Sequence, residues 1–352
     1  MSEAMTLFSQ ALEQLRLAVL NIPGLTELAT YPFLFRPLVM VVLLGVVAGV
    51  IGVLVNLRSA EFSAEAMVHA VFPGIVAGAV YWGIDAIIPA ASVVAVAAAV
   101  VLTIVSHRSH RGEASEAGTA VVLTSFFSVG LILSLAKGDM SGQLEALMFG
   151  RLLEVTDERL AQALIVCAVA LLLIAATWKE QVAYAFDRTG ARASGLRLLA
   201  LDLVLNTAIA AAVVSASTAV GILLVIGYLV IPGATARVLA SRVRTMVLVA
   251  ITVGVGGGYL GMLLMALPET SDKPISPQAT VALVMTGILL IAVSVSTARE
   301  RLRGPARWAG SAQSATAGVT STTVGAEAST DPIGGPEGSA STVTPATERS
   351  RV

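Results

Sequence analysis

LVLNTAIAAAVVSASTAVGILLVIGYLVIPGATA, from Leu203 to Ala236, is a run of 34 residues without a charged side chain. As a single α-helix it would measure about 51 Å, far beyond the ~30 Å hydrocarbon core of a bilayer, so it must hold two spans and a break. The small polar cluster Ser215-Ala216-Ser217-Thr218 is the expected turn. It leaves one span that starts near Leu198 and tolerates Asp202 close to its end, and a second from Ala219 to Ala236. On either side lie further charge-free stretches of about one bilayer each: Leu38–Leu57, Ala66–Ile84, Ala86–Ser106, Ala117–Ala136, Leu160–Trp178, Thr245–Pro268 and Pro274–Ala298. The expected fold is all-α, a polytopic membrane helical bundle of about nine transmembrane helices.

Composition agrees. Of 352 residues, 56% are hydrophobic and 13% charged, against roughly 25% charged in a soluble domain, which excludes an ordinary soluble enzyme. Mean hydropathy is +0.85. A net charge of -1 gives no basic field to attract nucleic acid. The single cysteine, Cys167, lies in the apolar run LIVCAVALLL and reads as a small hydrophobe, unable to form an internal disulfide or a multi-thiolate metal site. The sequence contains no G-x-x-x-x-G-K-[ST], no H-E-x-x-H and no G-x-S-x-G. Catalysis by this chain and a permanently bound cofactor are therefore not expected. If ATP powers the protein, another chain binds it.

Residues 1–30 are expected to be an N-terminal interfacial segment, because Leu7, Phe8, Ala11, Leu12, Leu15 and Val19 recur at helical spacing with Glu13 and Arg16 among them. Acidic residues and the missing cationic start argue against a signal peptide. Gly142–Val155 is too short and too charged to span, and reads as a re-entrant or surface helix. From Gly304 to Val352, 35 of 49 residues are Gly, Ala, Ser, Thr or Pro and none is Leu or Phe; this composition predicts a disordered cytoplasmic tail after a transmembrane domain of residues 31–303. Alternate loops hold 16 of the 22 Lys and Arg residues on one side. The positive-inside rule then puts the N-terminus outside and the C-terminus in the cytoplasm of a multi-pass cell-membrane protein.

Polar groups at membrane depth are costly and face a bundle interior or a path, so Glu61, Glu65, His69 and Asp202 are the candidates for chemistry. Glu65 and His69 share one helical face. Carboxylate plus neutral imidazole suits a divalent first-row metal, and two ligands suit a path better than a closed cage. Spacing alone equally allows a hydrogen-bonded pair that stabilises the helix. Asp202 is either a further pathway residue or a helix-start residue near the interface. His107 and His110 read as members of a solvated loop. Pro73-Gly74 and Pro232-Gly233 break helices inside spans and are candidates for hinge or pathway lining, with a plain packing kink as the alternative. The G-x-x-x-G pairs starting at Gly45, Gly74, Gly254 and Gly257 signal close packing of backbones. In the loop Lys179–Arg197, Asp187 is a potential N-cap and Gly195 a stop for a short, slim helix that suits docking into a partner's groove.

Several separated strings coincide with one family. GVIGVLVNLRSAEFSAEAMVHAVFPG (Gly49–Gly74), LEALMFGRLLEV (Leu144–Val155), YAFDRTGARASGL (Tyr184–Leu196), AVGILLVIGYLVIPGATARVLA (Ala219–Ala240) and SDKPISPQA (Ser271–Ala279) resemble, in order, segments of the zinc/manganese-type family of ATP-binding-cassette (ABC) importer permeases. The resemblance covers about Tyr31 to Arg303. It implies a permease paired with a second permease subunit, in the simplest case a homodimer in the lipid bilayer. It also implies cytosolic ABC ATPase subunits and an extracytoplasmic metal-binding protein, with Zn²⁺ or Mn²⁺ as transported substrate and alternating access as the mechanism. His69 then matches a family histidine in the second span, and Phe186, Asp187, Arg188, Gly190, Ala191 and Gly195 match the coupling helix that engages the ATPase. Val68 stands where the family commonly has Ser, Glu65 where it has Asp or a small residue, and Ser276 where Gly is usual. The rival expectations are a permease for a metal chelate such as a siderophore or cobalamin, and an ion-coupled secondary transporter.

Overall fold

The computed structural model describes residues 3–108, 112–136, 150, 152–266 and 276–302, and every regular element among them is helical. In chain order these are α1 (Glu3–Val19), α2 (Thr26–Thr30), α3 (Pro32–Leu57), α4 (Glu61–Ala70), α5 (Phe72–Ala77), α6 (Ile87–Arg108), α7 (Gly112–Leu135), α8 (Asp157–Ala176), α9 (Trp178–Phe186), α10 (Arg188–Ala193), α11 (Leu198–Val220), α12 (Ile222–Leu239), α13 (Val243–Ala266) and α14 (Pro277–Leu302). Among the described residues 8 helical stretches are long and apolar enough to cross a membrane, and Leu224–Leu239 of α12 is a shorter apolar helix. The expected bundle is thus present, with one short member. Met1–Arg299 forms one compact unit and Glu300–Val352 a second, of which only residues 300–302 are described. The expectations for the tail, for His110 and for most of the Gly142–Val155 segment lie outside the described residues.

The long apolar run does break, though not at the serine cluster. α11 continues through it to Val220, and the chain turns at Gly221, whose φ is +79°. Ser215 donates its hydroxyl to the Ala211 carbonyl at 2.9 Å and Ser217 to Val214 at 3.0 Å. Hydroxyls satisfied by their own helix create no turn, whereas the backbone of Gly221, at φ +79° and ψ +161°, is open almost only to glycine. A second glycine seals this point: a Cβ on Gly150 would lie 2.3 Å from the Gly221 nitrogen. Just after it, the short 3-10 turn Leu152–Glu154 plugs the fully buried Leu152 into the bundle against α3 and α11.

α3 is apolar all round and buried on nearly every face, as expected of a central helix. It packs most closely on α13 and α12. Gly45 meets the backbone at Gly254, and Gly49 meets Ile251, so two of the G-x-x-x-G pairs serve packing within the chain. Buried Tyr228 of α12 donates towards Val41 of α3 at 3.4 Å and Gly254 of α13 at 3.3 Å, tying the three helices together. A Cβ at Gly52 would fall 2.2 Å from the Leu229 carbonyl oxygen, which cannot move out of the way. Gly52→Ala is accordingly expected to destabilise the bundle by about 1–3 kcal/mol, read as a lowered midpoint of thermal unfolding in detergent.

Contacts sort the chain ends of the helices into two sides. At one, Arg36 pairs with Asp157 (Nη2 to Oδ2, 3.1 Å), Ser9 of α1 donates to the same carboxylate at 3.1 Å, and Arg159 approaches Asp85 at 3.4 Å. At the other, Arg237 donates to the Asn56 carbonyl at 2.8 Å, and Arg58, His107 and Asp202 converge beside α9 and α10. Exposed Val121 and Ile132 of α7, Leu172 of α8 and Leu283 of α14 cover the flanks with apolar side chains.

Candidate functional site

The α4 stretch EFSAEAMVHA turns Ala64, Ala66, Met67, Val68 and Ala70 into the bundle. The complementary stripe carries Glu61, Glu65 and His69, spaced four residues apart. Glu65 is exposed and His69 half-buried. Neither makes an ion pair among the described residues. The His69 ring accepts no help from the Glu65 carboxylate; its Nδ1 lies 3.0 Å from the Glu65 backbone carbonyl oxygen. A carbonyl only accepts, so Nδ1 is the donor, and in the neutral ring Nε2 keeps the lone pair through which imidazole binds metals. Phe127 of α7 stands edge-on to the ring, 5.5 Å between centroids, and stacks in turn near Phe72. The ring is thereby oriented from both sides, as a metal-ligating histidine needs. Among the described residues no group of three or more His, Cys, Asp or Glu side chains could enclose a metal ion. The described residues of one chain therefore offer Glu65 and His69 on one face of α4 and no enclosed cage.

Asp202 belongs elsewhere. The structure brings Glu65 and His69 together but engages the Asp202 carboxylate with the Arg58 guanidinium, at the start of α11. Tyr184 of α9 donates to the same carboxylate at 3.3 Å, and His107 Nδ1 lies 4.0 Å from it. The Arg58 guanidinium covers the Tyr184 ring at 4.0 Å and donates to Gln181 Oε1 at 2.6 Å; Gln181, fully buried, donates onward to the Leu201 carbonyl at 2.9 Å. Burial first, and the Asp202 carboxylate next, push the Tyr184 phenol above its usual range, so it stays a neutral donor. His107 is thus not in a solvated loop: it closes the last turn of α6 and faces this cluster. From the sequence, Arg58, Gln181 and Tyr184 have no part in a site, and His107 reads as a member of a solvated loop. The one available signal was Arg58 itself, a lone cation that ends the longest apolar helix.

The loop after α9 folds as its caps dictate. Asp187, in extended backbone, accepts from the Gly190 amide at 2.8 Å and starts α10, a six-residue helix. Gly195, at φ +83°, ends it, and the Leu196 amide returns to the Ala191 carbonyl at 3.1 Å. Ala191 is buried, while Phe186, Asp187, Arg188, Arg192 and Ala193 are exposed. Phe186, 70% exposed at the corner, is a large apolar side chain with nothing of this chain to cover it among the described residues.

The two proline-glycine pairs are both buried. Pro73 sits in the first turn of α5, three residues after α4 ends, and Gly74 lets α5 touch α6 at Ala91. Pro232 lies inside α12; Asn56 of α3 donates to the Val230 carbonyl just before it at 3.3 Å, and Gly233 packs on Gly52. Both pairs adjoin neighbouring helices.

Eight helical stretches long and apolar enough to cross a membrane among the described residues, with a carboxylate–imidazole stripe on α4 and an exposed, capped helix at one end, make this a polytopic helical membrane protein. This chain belongs to the ABC 3 transport family, whose model matches residues 30–296. It is 34% identical over 239 residues to the manganese transport system membrane protein MntC of Listeria monocytogenes, covering 68% of this chain and 83% of that relative. It is 30% identical over 246 residues to the chelated iron transport system membrane protein YfeC of Yersinia pestis, covering 68% and 82% respectively. Among solved structures, PsaBC from Streptococcus pneumoniae in complex with Fab aligns with a TM-score of 0.65 at 25% identity, over 76% of this chain and 94% of that one.

Proposed function

We propose that this chain is the membrane permease of an ABC importer for a divalent transition metal, with Mn²⁺ favoured over Zn²⁺. The observation that carries the reading is the open Glu65–His69 pair, whose imidazole is held in the tautomer that leaves Nε2 free. Carboxylate with imidazole suits Mn²⁺, and relatives named for manganese and chelated iron transport support the same class of cargo. A second copy, meeting the first across the α4 stripe, would double the donors and shield Glu61 and Glu65 from lipid.

In this reading α10 is the coupling helix. Phe186, Asp187, Arg188, Gly190, Ala191 and Gly195 shape the element that cytosolic ATPase subunits grip, and an extracytoplasmic binding protein delivers the ion on the opposite side. The side holding α10, Arg58 and Arg237 is cytoplasmic, which places the N-terminus outside and the C-terminus inside. Pro73-Gly74 and Pro232-Gly233 flank the helices that would shift as the bundle alternates between outward- and inward-open states. Purifying the tagged permease from cells with its neighbours present, followed by metal analysis, tests the assignment. The expected result is an ATPase subunit in the complex and manganese in excess of zinc; zinc or an organic chelate in its place would redirect the substrate.

A further inference from the structure

The turn that joins α3 to α4 is three residues long, Arg58–Ala60, and Ser59 within it is the one non-glycine residue at positive φ, +50°, among the described residues. Left-handed backbone on a residue with a Cβ persists only where its surroundings enforce it, and such residues collect at switch points. Two side chains hold this turn. Arg237 bonds the Asn56 carbonyl at 2.8 Å from α12, and the Arg58 guanidinium is anchored by Asp202 and Gln181.

Every partner of Arg58 belongs to another helix. Gln181 and Tyr184 lie on α9, which passes into α10 through Asp187 alone. Asp202 lies in the second turn of α11, which runs through the bundle beside α6 and α8. Asn206, one turn further on, donates to Thr103 Oγ1 of α6 at 2.9 Å, so α11 and α6 move together. Past Ser59, the chain starts α4 within two residues and reaches Glu65 and His69 on that same helix. A displacement of α10 therefore carries α9 with it, drags on Arg58, and reaches the donor-bearing helix through a turn too short and too constrained to absorb the motion.

We propose that Arg58 and Asp202 form a latch that transmits movement of α10 to α4, positioning the metal-donor helix without touching the metal. This rests on the transport reading above. A buried ion pair is a poor way to gain stability alone, because an apolar pair of similar size fills the space without the desolvation penalty. That difference separates a latch from a strut. An apolar replacement preserves a strut, but it gives the two helices on either side of α10, α9 and α11, no grip on α4.

The test uses the whole complex, permease with its ATPase subunits and binding protein, in liposomes supplied with Mn²⁺ and ATP. Uptake and ATP hydrolysis are measured together for the unaltered protein, for Asp202→Asn, and for the double variant Arg58→Met with Asp202→Leu. The expected result is that both variants assemble and keep hydrolysing ATP, while ions moved per ATP fall roughly tenfold or more. The latch is overturned if the double variant moves as many ions per ATP as the unaltered protein. It is equally overturned if the double variant cannot assemble, which would mark the pair as a folding requirement. Absence of ATP-driven uptake in the unaltered complex is a distinct result, and overturns the transport reading itself.

Discussion

Replacing His69 by alanine is expected to lower Mn²⁺ uptake roughly a hundredfold in cells, with the permease still present in the membrane at normal abundance. Nδ1 is spent on the Glu65 carbonyl, the ring is braced edge-on by Phe127, and Nε2 remains as a donor on a half-buried face. Removing it takes away the one neutral nitrogen ligand of the stripe and leaves only carboxylates. Stability changes little, since the lost ring contact is worth about 0.5–1.5 kcal/mol. Glu65→Gln keeps the shape and removes the charge; because Glu65 is exposed and unpaired among the described residues, it should fold normally and transport about tenfold less. Isotope uptake with quantified membrane protein reads both. Uptake equal to the unaltered protein in both variants would remove the α4 stripe from the path.

The second large effect concerns the exposed corner before α10. Phe186→Ser is expected to leave the thermal stability of the permease unchanged, because the side chain contributes little to its own chain at 70% exposure. It should nevertheless weaken capture of the ATPase subunit roughly thirtyfold, the usual scale for losing an aromatic anchor at a partner's groove. Asp187→Ala acts through a different cause. It deletes the cap on the Gly190 amide, costing about 1 kcal/mol in a helix only six residues long, and so loosens the helix proposed to dock instead of removing its proposed anchor. Asp187→Ser restores a capping oxygen and should recover most of the capture. Pull-down of the ATPase subunit with tagged permease distinguishes the three variants, and equal recovery in all of them would show that α10 is not the docking element.

Much of the fold was legible because a bilayer leaves few choices: charge-free runs of one membrane thickness must be helices, and these runs recur along the chain. The cap at Asp187 and the stop at Gly195 were legible for the same kind of reason, since local backbone chemistry is written in adjacent residues. The break in the longest run was placed a few residues early. Serines look like turn formers in sequence, but in α11 they bond back to their own helix, and the turn falls at Gly221 where a second glycine approaches it. Least legible was the Arg58 cluster. Its members, Arg58, His107, Gln181, Tyr184 and Asp202, come from five separate positions that no spacing rule connects, and only the packing of α3, α6, α9 and α11 brings them together. Asp202 read either as a path residue or as a helix-start residue; the structure sets it in the second turn of α11, and the cation that pairs with it, at the end of a distant span, was not legible.

The central claim is that the chain is a conduit driven by nucleotide hydrolysis on a companion subunit. Purified permease in liposomes, loaded with a manganese-sensitive dye and measured with and without the ATPase subunits and ATP, tests this directly. Accumulation only when both are supplied is the predicted result. Accumulation by the permease alone, driven by a proton or sodium gradient, would contradict it.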